Sequence, residues 1–212
     1  MIWQTAGPSA AFSSFVVGKL GGQRQLIGYD KESLGGWDVK TGKRLWSHVP
    51  KKNNDFNVPT PIIVGDKLVL STENNGTRLH EFDARGRILS EPLATHRELI
   101  PDAHTPLAVN GRLFGVSNGL FCLDLANNLR ELWTSDDEAF SHYTTLIGSR
   151  DRVLVATEQG ELILFDSAAD KFVPLSRLKL SENDSGIFSH PALVGSQLFI
   201  RSSTSLVCLP LA

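Results

Sequence analysis

Apolar residues fall in short runs separated by polar, glycine-bearing turns, and the same succession of runs recurs down the chain. One run reads Leu, two variable residues, a bulky apolar residue, then Asp: Leu34-Gly35-Gly36-Trp37-Asp38, Leu79-His80-Glu81-Phe82-Asp83, Leu120-Phe121-Cys122-Leu123-Asp124 and Leu162-Ile163-Leu164-Phe165-Asp166. A fifth copy, Leu206-Val207-Cys208-Leu209-Pro210, lacks the Asp. A period of about 40 to 46 residues with β-rich contents predicts the blades of a propeller. Ahead of each copy stand a second apolar run, such as Leu68-Val69-Leu70 or Val153-Leu154-Val155, and an entry pair, such as Thr60-Pro61, Thr105-Pro106 or His190-Pro191. Pro is tolerated where a strand begins, because the ladder has not yet started there. No stretch keeps a helical period.

Each copy therefore predicts four strands, with the Asp run third and an outer strand fourth. Leu45-Trp46 and Leu132-Trp133 mark the outer strand as an apolar plate for the next blade, and Ile88-Leu89 and Phe172-Val173 are weaker versions. The expected fold is an all-β propeller of five four-stranded blades, near 13–50, 58–91, 103–135, 143–178 and 188–212 with 1–6, forming one domain. The last copy stops after its third strand, so Ile2-Trp3-Gln4-Thr5 is expected to complete that blade and remove a free sheet edge. A partial arc of a seven- or eight-bladed ring is the alternative, and an open ring would associate into oligomers.

Asp38-x-x-Thr41-Gly42-Lys43-x-x-Trp46 resembles the repeat of quinoprotein-type, or PQQ-like, β-propellers, which also occurs in BamB-like envelope proteins. Trp3-Gln4-Thr5-x-Gly7-Pro8 and Val207-Cys208-Leu209-x-Leu211 look closest to planctomycete-type PQQ-like repeats. The resemblance implies a periplasmic or cell-envelope home; the chain itself shows no address. Quinoprotein dehydrogenases of this kind use an adjacent Cys-Cys disulfide, a stacking Trp, Ca²⁺ and a catalytic Asp. The only cysteines are Cys122 and Cys208, at equivalent places in separate copies, and both are expected to be buried and reduced. The repeat Asp residues recur in every complete blade and read as turn formers. Neither PQQ nor Ca²⁺ is expected.

Charge adds little. Residues 1–60 carry 8 Lys/Arg against 4 Asp/Glu and residues 61–212 carry 13 against 19, so no basic face calls for nucleic acid. No run approaches the ~20 apolar residues of a membrane span. The loops entering the inner strands, including Lys51–Asp55, and those between second and third strands, including Glu73, are expected to share one face. There the binding candidates are Asp55, Asp102, His104, His142, Asp184 and His190. Only His190 stands at an inner-strand entry, His104 one before and His142 three before, an offset that argues against a shared metal site. Asp102 and Asp184 are the nearest candidates for the paired carboxylates of a propeller glycosidase. His48, His80 and His96 read as surface histidines. The reading is a non-catalytic platform for a protein, peptide or carbohydrate, with a PQQ-dependent dehydrogenase or a glycosidase as the alternative.

Overall fold

A computed structural model describes residues 1–180 and 186–211. The described residues form two compact units, 1–105 with 126–130, and 106–125 with 131–211. Five antiparallel sheets follow one another along the chain, four with four strands and the last with three, and each is laid down in sequence order. The chain is an all-β propeller of five blades.

In the first unit, blade one is β1 Val16–Leu20, β2 Gln23–Tyr29, β3 Leu34–Asp38 and β4 Arg44–His48. Blade two is β5 Ile62–Val64, β6 Lys67–Thr72, β7 Gly76–His80 and β8 Ala94–His96. The facing surfaces of the two sheets bury Leu20, Ile27, Leu34, Leu68 and Leu70 around Trp46. The Trp46 ring meets Phe82 edge-on at 5.6 Å, and its Nε1–H donates to Gln25 Oε1 at 2.6 Å. The apolar plate thus also satisfies its one polar atom.

The third sheet is β9 Leu107–Val109, β10 Arg112–Val116, β11 Leu120–Asp124 and β12 Arg130–Ser135. Blade four is β13 Thr144–Gly148, β14 Arg152–Thr157, β15 Glu161–Asp166 and β16 Pro174–Lys179. In the second unit Phe114, Val116, Leu120 and Cys122 pack on Val153, Val155, Ile163 and Phe165, with Trp133 over both sets. Phe114, Phe165 and Phe172 stack edge to face with centroids 5.4–5.5 Å apart. Blade five is β17 Ala192–Val194, β18 Gln197–Arg201 and β19 Leu206–Pro210. Its Leu198 and Ile200 close on Ala156 and Leu162 of blade four.

The repeat Asp residues pin the turns after their strands. Asp38 Oδ1 accepts from Lys40 N at 3.0 Å and from Thr41 N and Oγ1, both at 2.8 Å. Asp83 Oδ1 takes Arg85 N and Arg87 N, and Asp166 Oδ1 takes Ala168 N. A short side-chain acceptor at the start of a turn does this generally.

Three expectations are corrected. Residues 2–5 form no strand and do not complete the last blade, whose sheet keeps three strands among the described residues. Instead the Trp3 indole lies on Gly42, where any Cβ would collide with it, and its Nε1–H donates to Val39 O at 2.9 Å. The outer strand of blade two is Ala94–His96, past the expected boundary at 91, and Ile88 keeps only an isolated bridge to Phe82. Pro92 lacks the N–H that would carry a ladder on from Ile88-Leu89. Cys208 is exposed, while Cys122 is buried. The two residues hold matching registers, opposite Phe199 and Phe114 respectively. Blade four covers the Cys122 face, whereas on the Cys208 face Leu206 is 68% exposed.

Candidate functional site

Within the first unit a cavity of about 420 Å³ opens on blade two, between the loop that follows β4 and the strands β7 and β8. Its base is β7, Gly76-Thr77-Arg78-Leu79-His80, in which every residue is buried. A strand buried on both faces is ordinarily a continuous apolar run. This one carries Arg78 and His80 instead.

The loop is locked onto the β6–β7 turn by side chains. Asn75 donates from Nδ2 to Lys52 O at 2.8 Å and accepts from Lys52 N at 3.0 Å through Oδ1. Asp55 accepts from Asn74 N at 2.9 Å and from Asn75 Nδ2 at 2.6 Å, and Glu73 Oε1 accepts from Phe56 N at 2.5 Å. Gly76 closes the turn at φ 74°, with His96 O only 2.7 Å from where a Cβ would sit. No L side chain fits that place. The rim is therefore held rigidly before anything binds.

Arg78 is 7% exposed, and its Nη2 donates to Thr72 Oγ1 at 3.0 Å. No described carboxylate pairs with it, and its guanidinium lies beside the buried Tyr29 hydroxyl, which it pulls towards ionisation. Burial pushes the neighbouring Tyr29 phenol up to about 12, so that group stays neutral and offers no counter-charge. His80 is wholly buried and meets His48 edge to face at 4.9 Å. Burial, then the nearby His48 and Arg78, hold His80 down at about 4, and burial followed by Arg78 lowers His48 too. His80 Nδ1 lies 3.3 Å from Leu89 O, a carbonyl that can only accept, so Nδ1 carries the proton of the neutral ring. Nε2 is then a bare acceptor, buried and unpartnered, as is Glu73 Oε2. Lys51, Lys52 and Arg97 line the mouth, with Lys51 paired to Glu91 at 2.7 Å.

Of the residues singled out in the sequence, Asp55 belongs to this assembly, as the carboxylate that holds its rim. Asp102 is exposed and lies 3.9 Å from the largely buried His104, whose pKa burial lowers while Asp102 raises it. His142 and His190 are exposed. Asp184 lies outside the described residues. No three His, Cys, Asp or Glu among the described residues are gathered as metal ligands would be. His80, read as a surface residue, is buried. Arg78 was passed over altogether, although an Arg and a His inside a predicted strand were the available signal.

The second unit holds an apolar cleft of about 620 Å³ between blades four and five, walled by Leu154, Leu164, Leu178, Leu193, Leu198 and Leu209. Polar groups do not converge on it as they do on the blade-two cavity. No helix among the described residues is long and apolar enough to cross a membrane.

The family described as outer membrane protein assembly factor BamB matches residues 2–174. No curated protein matches the chain in sequence. Among solved structures, the computationally designed protein Ika8 superposes with a TM-score of 0.69 at 13% identity, over 99% of this chain and 61% of that one. BamB from Moraxella catarrhalis does so with a TM-score of 0.54 at 13% identity, over 98% of this chain and 74% of BamB. The chain thus spans less than two thirds of the designed protein's length.

Proposed function

The chain belongs to the family of the outer membrane protein assembly factor BamB, and from that premise we propose a non-catalytic binding platform of the bacterial cell envelope. It presents its loops to a protein, peptide or carbohydrate, foremost a protein engaged in outer membrane protein assembly. The supporting observation is the use made of its loop carboxylates. Asp30 accepts from Glu32 N and Ser33 N and pairs with Arg44 at 3.0 Å, and Asp38, Asp55, Asp83 and Asp166 hold turns in the same way. At two of them the hydrogen bonds favour the charged form: the Thr41 hydroxyl lowers the pKa of Asp38, and the Arg87 amide lowers that of Asp83. A carboxylate so held is a poor general base and a good loop anchor.

We read these residues as unsuited to PQQ. The chain has no adjacent Cys pair, and the Trp3, Trp46 and Trp133 indoles each donate to a fixed acceptor within the fold. Arg44 lies over the Trp37 ring at 4.9 Å. Photo-crosslinkers placed at Lys52 and Asn74 in the source cells test the platform reading. The expected result is one reproducible protein adduct in the envelope fraction. Recovery of the chain in the cytosol, or dye-linked alcohol oxidation after titration with PQQ and Ca²⁺, would overturn it.

A further inference from the structure

Trp3 occupies a place that the fold elsewhere gives to an outer strand. Trp133, on β12 of blade three, donates its indole N–H to Ala169 O, 36 residues on, in the turn after the repeat Asp of blade four. Trp3 donates to Val39 O, also 36 residues on, in the corresponding turn of blade one. Ile2-Trp3-Gln4-Thr5 keeps the order of Leu45-Trp46-Ser47-His48 in β4, an apolar residue, Trp, then two polar residues. Residues 2–5 thus stand beside blade one as the outer strand of a preceding blade would. They nevertheless form no strand, and Ile2 is 94% exposed where Leu45 and Leu132 pack against the apolar clusters.

Blade five has the complementary gap. Among the described residues β19 pairs only with β18, which leaves its other edge open as a template for a further strand. The face turned away from blade four carries Phe199, Leu206 and Cys208, in the same registers as the Phe114, Leu120 and Cys122 that blade three buries on blade four. Blade one has the matching surface. Its Leu26 and Trp37 pair as do the Val153 and Phe165 that meet blade three, and Phe15 and Val17 beside them are 50% and 48% exposed. The interface between blades three and four is thus continued at blades five and one, one half on each.

We propose that a second copy of this chain is the partner: its residues 2–5 add to β19 as a fourth strand, and its blade one packs on the free face of blade five. The β3–β4 register, Gly35↔Ser47 and Gly36↔Trp46, carried over to β19, sets Val207 opposite Gln4 and Cys208 opposite Trp3. Each copy offers one such edge and one such segment, so association runs head to tail. The interface uses no residue of the blade-two cavity and does not rest on the envelope reading.

The test is disulfide crosslinking between two variants that both carry Cys208→Ser, one with Gln4→Cys and the other with Val207→Cys. Directly opposed residues of antiparallel strands lie within disulfide reach. Mild oxidation of the mixture should join the two chains, whereas Gln4→Cys mixed with Lys171→Cys, also in the Cys208→Ser background, should stay unjoined. Light scattering of the parent should show mass rising with concentration. Leu206→Glu, at an exposed position, should weaken that association at least tenfold while circular dichroism shows the fold intact. Cys208 should react more slowly with a thiol reagent as the parent is concentrated. The proposal is overturned by absence of the crosslink in the mixture, by a monomer at every concentration, or by a chain carrying both Gln4→Cys and Val207→Cys that crosslinks only to itself, which would close the sheet within one copy. None of those results touches the photo-crosslinking outcome, so the two readings fail separately.

Discussion

Blades two and three are built on one plan and use their third strands in opposite ways. In β11, Leu120 and Cys122 turn an apolar face to blade four and are lost into a cluster of aromatic rings. In β7, the third strand of blade two, Arg78 and His80 are buried on the other face of the sheet, opposite Leu70 and Leu68. The meander therefore tolerates a polar third strand, provided the backbone ladder is intact, as it is from Leu68↔His80 to Thr72↔Gly76. Stability resides in strands of the β11 kind, and strands of the β7 kind are free to carry a site.

That contrast can be broken by substitution. Phe165→Ala, in the aromatic cluster, is expected to cost about 3–5 kcal/mol in urea unfolding, the usual effect of emptying a large buried ring site. A loss below about 1 kcal/mol would mean that the cluster is not the stabilising half.

A somewhat smaller effect follows from pH. The folded chain keeps His80 neutral down to about pH 4, while the unfolded chain takes up that proton near 6.5. The unfolded state binds more protons between those values, so stability present above about 6.5 falls away towards about 4, by about 3 kcal/mol at most. His48 adds in the same direction, and Glu91 opposes both. Unfolding midpoints at pH 7.5 and 5 measure this, and His80→Gln should flatten the difference.

Asp55→Ala leaves Asn74 N and Asn75 Nδ2 without their acceptor and should cost about 1–3 kcal/mol. Hydrogen exchange at Asn74 and Asn75 should quicken while blade three is unchanged. Smallest is Cys208→Ser, within about 0.5 kcal/mol of the parent, as for exposed positions generally. In the native chain a thiol reagent should modify Cys208 and spare Cys122, whose thiol burial pushes up to about 12.

The repeat was legible because its apolar runs, turn glycines and Asp anchors are local features, and Leu-x-x-φ-Asp located β3, β11, β15 and β19. It misjudged β7, where the ladder ends at His80 and the Asp83 turn lies beyond it. The seat of Trp3 on Gly42 was hidden because it depends on a missing Cβ and on an indole donor from a distant segment. The site was half legible. The loop holding Lys51 to Asp55 and the turn holding Glu73 were placed on one face, and hydrogen bonds join them there. Arg78 was missed because a lone Arg in a strand gives no sign of whether its charge is paired until the neighbouring loop is folded over it.

The most direct test of the account is the unfolding free energy of Arg78→Met against the parent. The variant should match or exceed the parent, since an apolar side chain replaces a buried charge with no carboxylate partner. A variant that loses more than about 2 kcal/mol would make Arg78 a structural residue and contradict the division of labour between the two strands.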